Sequence, residues 1–197
     1  RQVVLRDDVA AGRDLVRNAV ILTIVAWIAM MLYITFRYQW DYGVSCIVAL
    51  MHDVLMVLSF FAIFRFEVNI ELISVLLTII GYSINNAIVV FDRIRENVGK
   101  GSIKRSPESY HKIINDSIDD TFLMALYSSI TTILPVIFLL AVGSNAIFTF
   151  TFAMFVGLIS GTFSAIFIAP AMWFWIRTHY QPKEKKKAKK AKKSLSA

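Results

Sequence analysis

The chain has little of what catalytic and metal sites need: one cysteine and three histidines in 197 residues. A single cysteine excludes a disulfide within the chain, and we interpret Cys46 as a small packing residue. His52 is the only histidine inside an apolar run, and no HExxH motif is present. We therefore expect no metal and no cofactor, and we disfavour an intramembrane hydrolase or any other enzyme.

Long apolar runs dominate the sequence. Hydrophobic residues make up 57% of it, compared with roughly 45–50% in a typical soluble domain. Because a membrane span needs roughly 20 apolar residues, we predict an all-α polytopic membrane bundle with five transmembrane helices. The predicted spans are 19–36, 42–64, 70–91, 121–141 and 146–175.

Basic residues are concentrated in two places, the segment 93–112 and the lysine-rich tail after Arg177. Such a tail can bind nucleic acid, but after a membrane span we favour contact with lipid headgroups and expect no nucleic-acid partner. Positive charge on the cytoplasmic side places the N-terminus outside, the C-terminus inside, and residues 92–120 in a cytoplasmic loop.

Three domains follow from this pattern. Residues 1–18 are predicted to be the end of an external domain, 19–177 the membrane domain, and 178–197 a disordered basic tail. The chain begins at Arg1 rather than Met, so we expect it to be the rear part of a longer polypeptide. Ser106-Pro107-Glu108 predicts the start of an amphipathic helix under the bundle, running towards the fourth span.

Small residues recur every four positions in the last span, which indicates a close helix crossing. Pro135 should bend the fourth span, because proline cannot donate a backbone hydrogen bond. The predicted helix-packing residues are Gly81, Pro135, Ala153, Gly157, Gly161 and Ala165.

The third span carries polar residues along one line of the helix. Thr78, Gly81, Tyr82, Asn85 and Asp92 fall within about 50° of that line at 3.6 residues per turn. Asn86 lies beside it. Amide side chains are costly in hydrocarbon, so we predict that this face points into the bundle, towards the fourth span.

The third span ends in a charged run. Asp92–Arg95 and Arg93–Glu96 have the i, i+3 spacing of helical ion pairs. We interpret Asp92, Arg93, Arg95 and Glu96 as anchors at the inner interface. Solvated pairs of little energetic value are the alternative.

His52 and Asp53 lie in the middle of the second span. A carboxylate inside a membrane indicates a functional site by default, because burying its charge is costly. A proton or hydrogen-bond relay is one interpretation. The other is that the two side chains only satisfy polar groups of neighbouring helices and fix their packing.

The segment GYSINNAIVVFDRIREN, Gly81–Asn97, resembles the signature of the SecF family. The match extends over Arg37-Tyr38-x-Trp40, His52-Asp53 and GTFSAIFIAP at Gly161–Pro170, and covers nearly all of residues 9–177. The segment 8–12 departs from the family pattern. The family usually has aspartate at the position of Asn86 and threonine at the position of Ala87.

The resemblance implies the last five helices of a six-helix RND-type half bundle. It also implies an accessory subunit of the Sec export machinery in the bacterial cytoplasmic membrane, acting with SecD or a SecD-like half. The implied partners are the SecYEG translocon, YajC or YidC, the translocating polypeptide and membrane lipids. Half of an RND-type small-molecule exporter is the alternative function, and the sequence upstream of Arg1 would distinguish the two.

The proton-coupling candidates are His52, Asp53, Asn85 and Asn86, whose polar side chains lie inside predicted spans, and Met124, which the resemblance adds. In the family an aspartate and an arginine occupy the positions of Asn86 and Met124, so both charges are absent here. Replacing both partners of a buried pair can be nearly neutral. We therefore hypothesise that coupling, where present, depends on the partner half or on Asp53.

Overall fold

The computed structural model describes residues 39–67, 70–100 and 106–179, with nine scattered helical positions between 17 and 33. The predicted domain at 1–18 and the tail at 178–197 lie almost entirely outside the described residues, and seven positions of the first predicted span at 19–36 are described.

Five α-helices and one π-helical turn make up the described part of the chain. They are α1 (Trp40–Phe64), α2 (Ile70–Lys100), α3 (Pro107–Val142), α4 (Asn145–Phe163), the π turn (Ser164–Ile168) and α5 (Ala169–His179). The last three form one continuous helical run, Asn145–His179. Among the described residues, four helical runs are long and apolar enough to cross a membrane. The all-α multi-pass class is confirmed, and four of the five predicted spans are observed.

The predicted loop 92–120 is mostly helical, which corrects the sequence-based boundary. Helix α2 continues through the charged run to Lys100. Helix α3 begins at Pro107, where the Ser106 hydroxyl accepts from the backbone N–H of Ser109. It then runs unbroken into the fourth span. Its first turns are packed into the bundle core through Tyr110 and do not lie beneath the bundle as a separate helix.

The core consists of two apolar clusters along the bundle. One, at the end where α1 begins, is built around Tyr42, Phe91 and Trp173. The other, towards the end of α1, is built around Phe61 and Ile79. Helix α3 is the least buried of the four spanning runs, with 11% of its most apolar window inside the structure.

Helix α4 packs against α2 through its small residues. Ala153, Gly157, Gly161, Ala165 and Ala169 are all buried. A Cβ atom on Gly157 would lie 1.9 Å from Cδ1 of Ile79, and one on Gly161 would lie 3.3 Å from Cβ of Ser83. The absence of side chains at these glycines therefore sets the distance between the two helices. Pro135, by contrast, is exposed on α3, which continues through it, and the predicted bend remains a prediction.

Candidate functional site

A buried carboxylate lies at the centre of the bundle. Asp53 of α1 is 1% exposed, and three serine hydroxyls from other helical segments donate to it. Ser83 donates to Oδ2 at 2.5 Å, Ser164 to Oδ2 at 2.6 Å, and Ser160 to Oδ1 at 2.7 Å. These four residues are called the Asp53 cage below. The cage joins α1 to α2, to α4 and to the first residue of the π turn.

The cage forms because the helices approach closely where short side chains lie. Ser160 and Ser164 are one turn apart in the long helical run, and Gly161 lies between them against Ser83. A serine hydroxyl reaches only a short distance from its backbone, so the cage requires α2 and α4 to lie close together at Gly161, where an added Cβ would come within 3.3 Å of Cβ of Ser83.

His52 lies beside Asp53 and is partly accessible. Its Nδ1 is 3.2 Å from Asp53 Oδ1, and its side chain is 33% exposed compared with 1% for Asp53. Among the described residues, His52 is the only titratable side chain in contact with Asp53. An imidazole can donate or accept a proton at this nitrogen, and His52 is the more accessible member of the pair.

The cage suits a carboxyl group in either charge state. A serine hydroxyl donates to a carboxylate, and the same hydroxyl can turn and accept from the O–H of a neutral carboxylic acid. Ser164 has an alternative acceptor, since its Oγ is also 3.3 Å from the carbonyl oxygen of Gly161. A proton can therefore be gained or lost at Asp53 with a hydrogen-bond partner present in both states.

A second polar cluster, not predicted from the sequence, joins α2, α3 and α4. The hydroxyls of Tyr82, Ser129 and Thr162 form a closed ring, with distances of 2.9 Å from Tyr82 to Ser129, 3.1 Å from Tyr82 to Thr162 and 2.9 Å from Thr162 to Ser129. Tyr82 and Thr162 are sequence neighbours of cage serines, so the two clusters lie side by side.

The prediction that the polar line of α2 faces the interior is wrong for most of its members. Thr78, Gly81, Asn85 and Asp92 are exposed, and a Cβ on Gly81 would meet nothing within 4 Å. The buried face of α2 is largely apolar and includes Ile79, Ile84 and Ala87 together with Ser83 and Asn86. This face of α2 is buried because it fits against the small residues of α4, and its polarity does not decide its orientation.

Asn86 and Met124 do not form a buried pair. Asn86 is 3% exposed on the inner face of α2, whereas Met124 is 64% exposed on the outer face of α3. Two neutral side chains gain little from meeting, so nothing draws Met124 inward. In the described part of the chain two carboxyl groups are buried, that of Asp53 midway along α1 and that of Asp41 in its first turn.

The charged run at the end of α2 holds α2 to α3. Arg93 contacts Glu96 at 2.8 Å, as its spacing predicted. It also contacts Asp120 of α3, with its Nε donating at 2.9 Å. The anchoring role of Asp92 and Arg95 remains a prediction.

A buried ion pair joins the first turn of α1 to the last turn of α5. Asp41 pairs with Arg177, and their side chains are 1% and 10% exposed. Arg177 also donates to Gln39 at 2.5 Å and lies over the ring of Trp173, 5.3 Å from its centroid. We call this pair the Arg177 clamp. It could not be predicted from the sequence, because the two charged residues are far apart in the chain.

No metal site accompanies these clusters within the ranges that the structure describes, where no group of three or more His, Cys, Asp or Glu side chains is arranged to hold an ion.

Four membrane-length helical runs, three of which supply the Asp53 cage, define a multi-pass helical membrane protein with a polar centre. Residues 8–179 match the family described as "Protein export membrane protein SecD/SecF, C-terminal". The chain belongs to this SecD/SecF family.

Individual relatives agree with the family assignment. The chain is 38% identical over 180 residues to the protein translocase subunit SecF of Sebaldella termitidis, covering 91% of this chain and 58% of that protein. It is 40% identical over 163 residues to SecDF of Thermus thermophilus, covering 83% of this chain and 22% of that protein.

The fold matches solved structures of SecDF. A crystal structure of the super-membrane-facing form superposes with a TM-score of 0.75 at 38% identity, covering 92% of this chain and 23% of that one. The chain thus spans a little over half the length of the SecF relative and about a quarter of SecDF.

Proposed function

We propose that this chain is the membrane part of a SecF-type subunit of the Sec export machinery, and that Asp53 is its proton-responsive site. The observation that carries the second part is the Asp53 cage, with a 1% exposed carboxyl group and hydroxyl donors from two other segments. An ionisable residue buried at membrane depth is expensive to keep and is therefore a functional candidate.

Proton movement through this half would pass by His52 and Asp53. Asn86 cannot take the role of an aspartate, because an amide does not titrate in the relevant pH range. Met124 carries no charge. The remaining coupling would come from a SecD-like half, in which an equivalent bundle would lie against this one.

The proposed partners follow from the family. They are a SecD-like half, the SecYEG translocon with YajC or YidC as further candidates, the translocating polypeptide and membrane lipids. In the proposed topology, the Arg177 clamp, the charged end of α2 and the basic tail are on the cytoplasmic side, because lysine and arginine accumulate there.

A small-molecule exporter is the less favoured function. The relatives compared above carry the names of protein translocase subunits, and no described feature of the bundle favours a small-molecule pathway over a polypeptide one.

The test is the dependence of export on the proton-motive force in membranes that contain the full-length protein and its partners. Moving one charge through 100 mV is worth about 2.3 kcal/mol. Asp53→Asn keeps the shape of the side chain but removes its titration. An energy of about 2.3 kcal/mol corresponds to a ratio of rates of about 50. We therefore expect this variant to lose up to about 50-fold of the stimulation of export by the gradient.

Asp116→Asn provides a matched control, since it neutralises an exposed carboxylate of α3, and it should leave the stimulation unchanged. Full stimulation in Asp53→Asn would refute the role of Asp53.

A further inference from the structure

The buried stripe on the last helical run has a spacing that a regular α-helix cannot keep on one face. Every fourth residue from position 153 to 177 is buried. In a regular α-helix each step of four residues adds about 40° of rotation, so the six steps would turn the stripe by about 240°. The stripe consists of Ala153, Gly157, Gly161, Ala165, Ala169, Trp173 and Arg177.

The π turn reduces this rotation. The backbone N–H of Ala169 donates to the carbonyl of Ser164, which is the i→i+5 bond of a π-helix. Such a turn acts as one extra residue and takes back about 100°. It thereby directs Trp173 and Arg177 into the bundle, where Arg177 meets Asp41.

The first residue of the π turn belongs to the Asp53 cage. Ser164 donates to Asp53 at 2.6 Å and has the Gly161 carbonyl as an alternative acceptor at 3.3 Å. Its hydroxyl has a single proton, so it favours the carboxylate when Asp53 is charged and can return to the helix when Asp53 is neutral. One residue of the π turn thus has a side-chain hydrogen bond whose partner depends on the charge on Asp53.

We propose that charged Asp53 holds the π turn open, and that protonation of Asp53 lets the turn revert to α-helix, rotating α5 and separating Arg177 from Asp41. A proton from the aqueous side would add to a carboxylate oxygen of Asp53, and the same oxygen would later release it. Ser164 is then a positioning residue that transmits the change. The proposal rests on the proposed function in taking Asp53 as the residue that gains and loses the proton.

The groups facing Asp53 determine how such a switch responds to pH. They are His52 from its own helix, Ser83 from α2, and Ser160 and Ser164 from the last helical run. Of these only His52 is ionisable. A positive charge on His52 would favour the carboxylate form of Asp53 and so oppose the addition of a proton to Asp53.

A cysteine pair across α3 and α5 reports the rotation. His111 and Phe174 have ring centroids 5.9 Å apart. A rotation of about 100° moves a Cα atom by about 3.5 Å on a helix of 2.3 Å radius. Because a disulfide needs Cβ atoms roughly 3.5–4.5 Å apart, a pair displaced by this amount should lose most of its ability to form the disulfide and oxidise more slowly.

The experiment uses the full-length protein in membrane vesicles with Cys46→Ala, His111→Cys and Phe174→Cys. A control pair, Phe66→Cys with Phe148→Cys, lies at the other end of the bundle, where the ring centroids are 6.5 Å apart. Rates of the first pair are divided by those of the control pair, which removes the effect of pH on thiol oxidation.

We expect the normalised rate to fall in Asp53→Asn and in Ser164→Ala, and to be retained in Ser164→Thr, which keeps the hydroxyl. Lowering the pH should reduce the rate with the cage intact but not further in Asp53→Asn. A constant rate in the pH series would overturn the proposal, and that series requires no change in the cage.

The outcomes separate this inference from the proposed function. If Asp53→Asn loses gradient-dependent export but keeps the crosslinking rate, the rotation is overturned and the coupling role of Asp53 stands. Slower crosslinking with gradient-dependent export intact supports the rotation and removes the coupling role.

Discussion

The contact between Gly157 and Ile79 gives a sharp prediction for bundle stability. Gly157→Ala would place a Cβ 1.9 Å from Cδ1, 2.4 Å from Cγ1 and 3.2 Å from Cγ2 of Ile79. Ile79 is fully buried, and its branched side chain has few rotamers on a helix. The two helices must therefore move apart or Ile79 must adopt a strained rotamer.

The expected magnitude follows from two opposing effects. Overpacking a core costs about 1–3 kcal/mol, and contacts this short belong at the upper end. Replacing glycine by alanine within a helix returns about 1 kcal/mol. We therefore expect Gly157→Ala to lower the free energy of unfolding by about 2 kcal/mol, allowing about 3 kcal/mol for the clash.

Gly81→Ala provides a matched control on α2. A Cβ there meets nothing within 4 Å, so this variant should be neutral or gain about 1 kcal/mol. Both variants and the parent chain are compared by unfolding of the detergent-solubilised chain, monitored by helical circular dichroism.

A double-mutant cycle tests the cause. Ile79→Ala removes all three of the contacting atoms and by itself should cost about 2–5 kcal/mol through the cavity it leaves. In that background, Gly157→Ala should no longer destabilise the chain. An equal cost of Gly157→Ala in both backgrounds, or no cost in either, would refute the reasoning.

Two further predictions concern polar contacts between helices. Arg177→Gln leaves the buried Asp41 carboxylate without its cation and should cost about 3–5 kcal/mol. The double variant with Asp41→Asn should recover much of that loss in the same unfolding assay, and no recovery would contradict a direct pairing. Tyr82→Phe removes one member of the hydroxyl ring and should cost about 1 kcal/mol. Tyr127→Phe, on the exposed face of α3, is the control and should cost nothing measurable; equal effects of the two would argue against the ring.

Features that depend on neighbouring residues in the chain could be predicted from the sequence. Helix α1 begins at Trp40 and ends at Phe64, within two residues of the predicted span. The cap at Ser106 and the Arg93–Glu96 pair also form as their spacing indicated. These features follow from hydropathy, capping chemistry and helical period, all of which are local.

The orientation of α2 could not be predicted from its polar pattern. Thr78 lies exposed because its hydroxyl donates to the carbonyl of Ser74 at 2.9 Å, so it needs no partner from another helix. In a membrane, close packing of small residues contributes to helix association alongside polar contacts, so polarity alone does not fix the buried face. The glycines of α4 therefore turned Ile79 and Ser83 inward and left Gly81 outside.

The sequence by itself determined the class of this protein, its spanning helices, the small-residue stripe and the candidacy of Asp53, because each is written in composition or in spacing along one helix. Only the tertiary structure decided which partners these groups have. The serines around Asp53 and the pairing of Asp41 with Arg177 join residues 30 to 136 positions apart in the sequence. The packing of the helices brings these residues together, and no pattern within one segment of the chain predicts contacts between residues so far apart in the sequence.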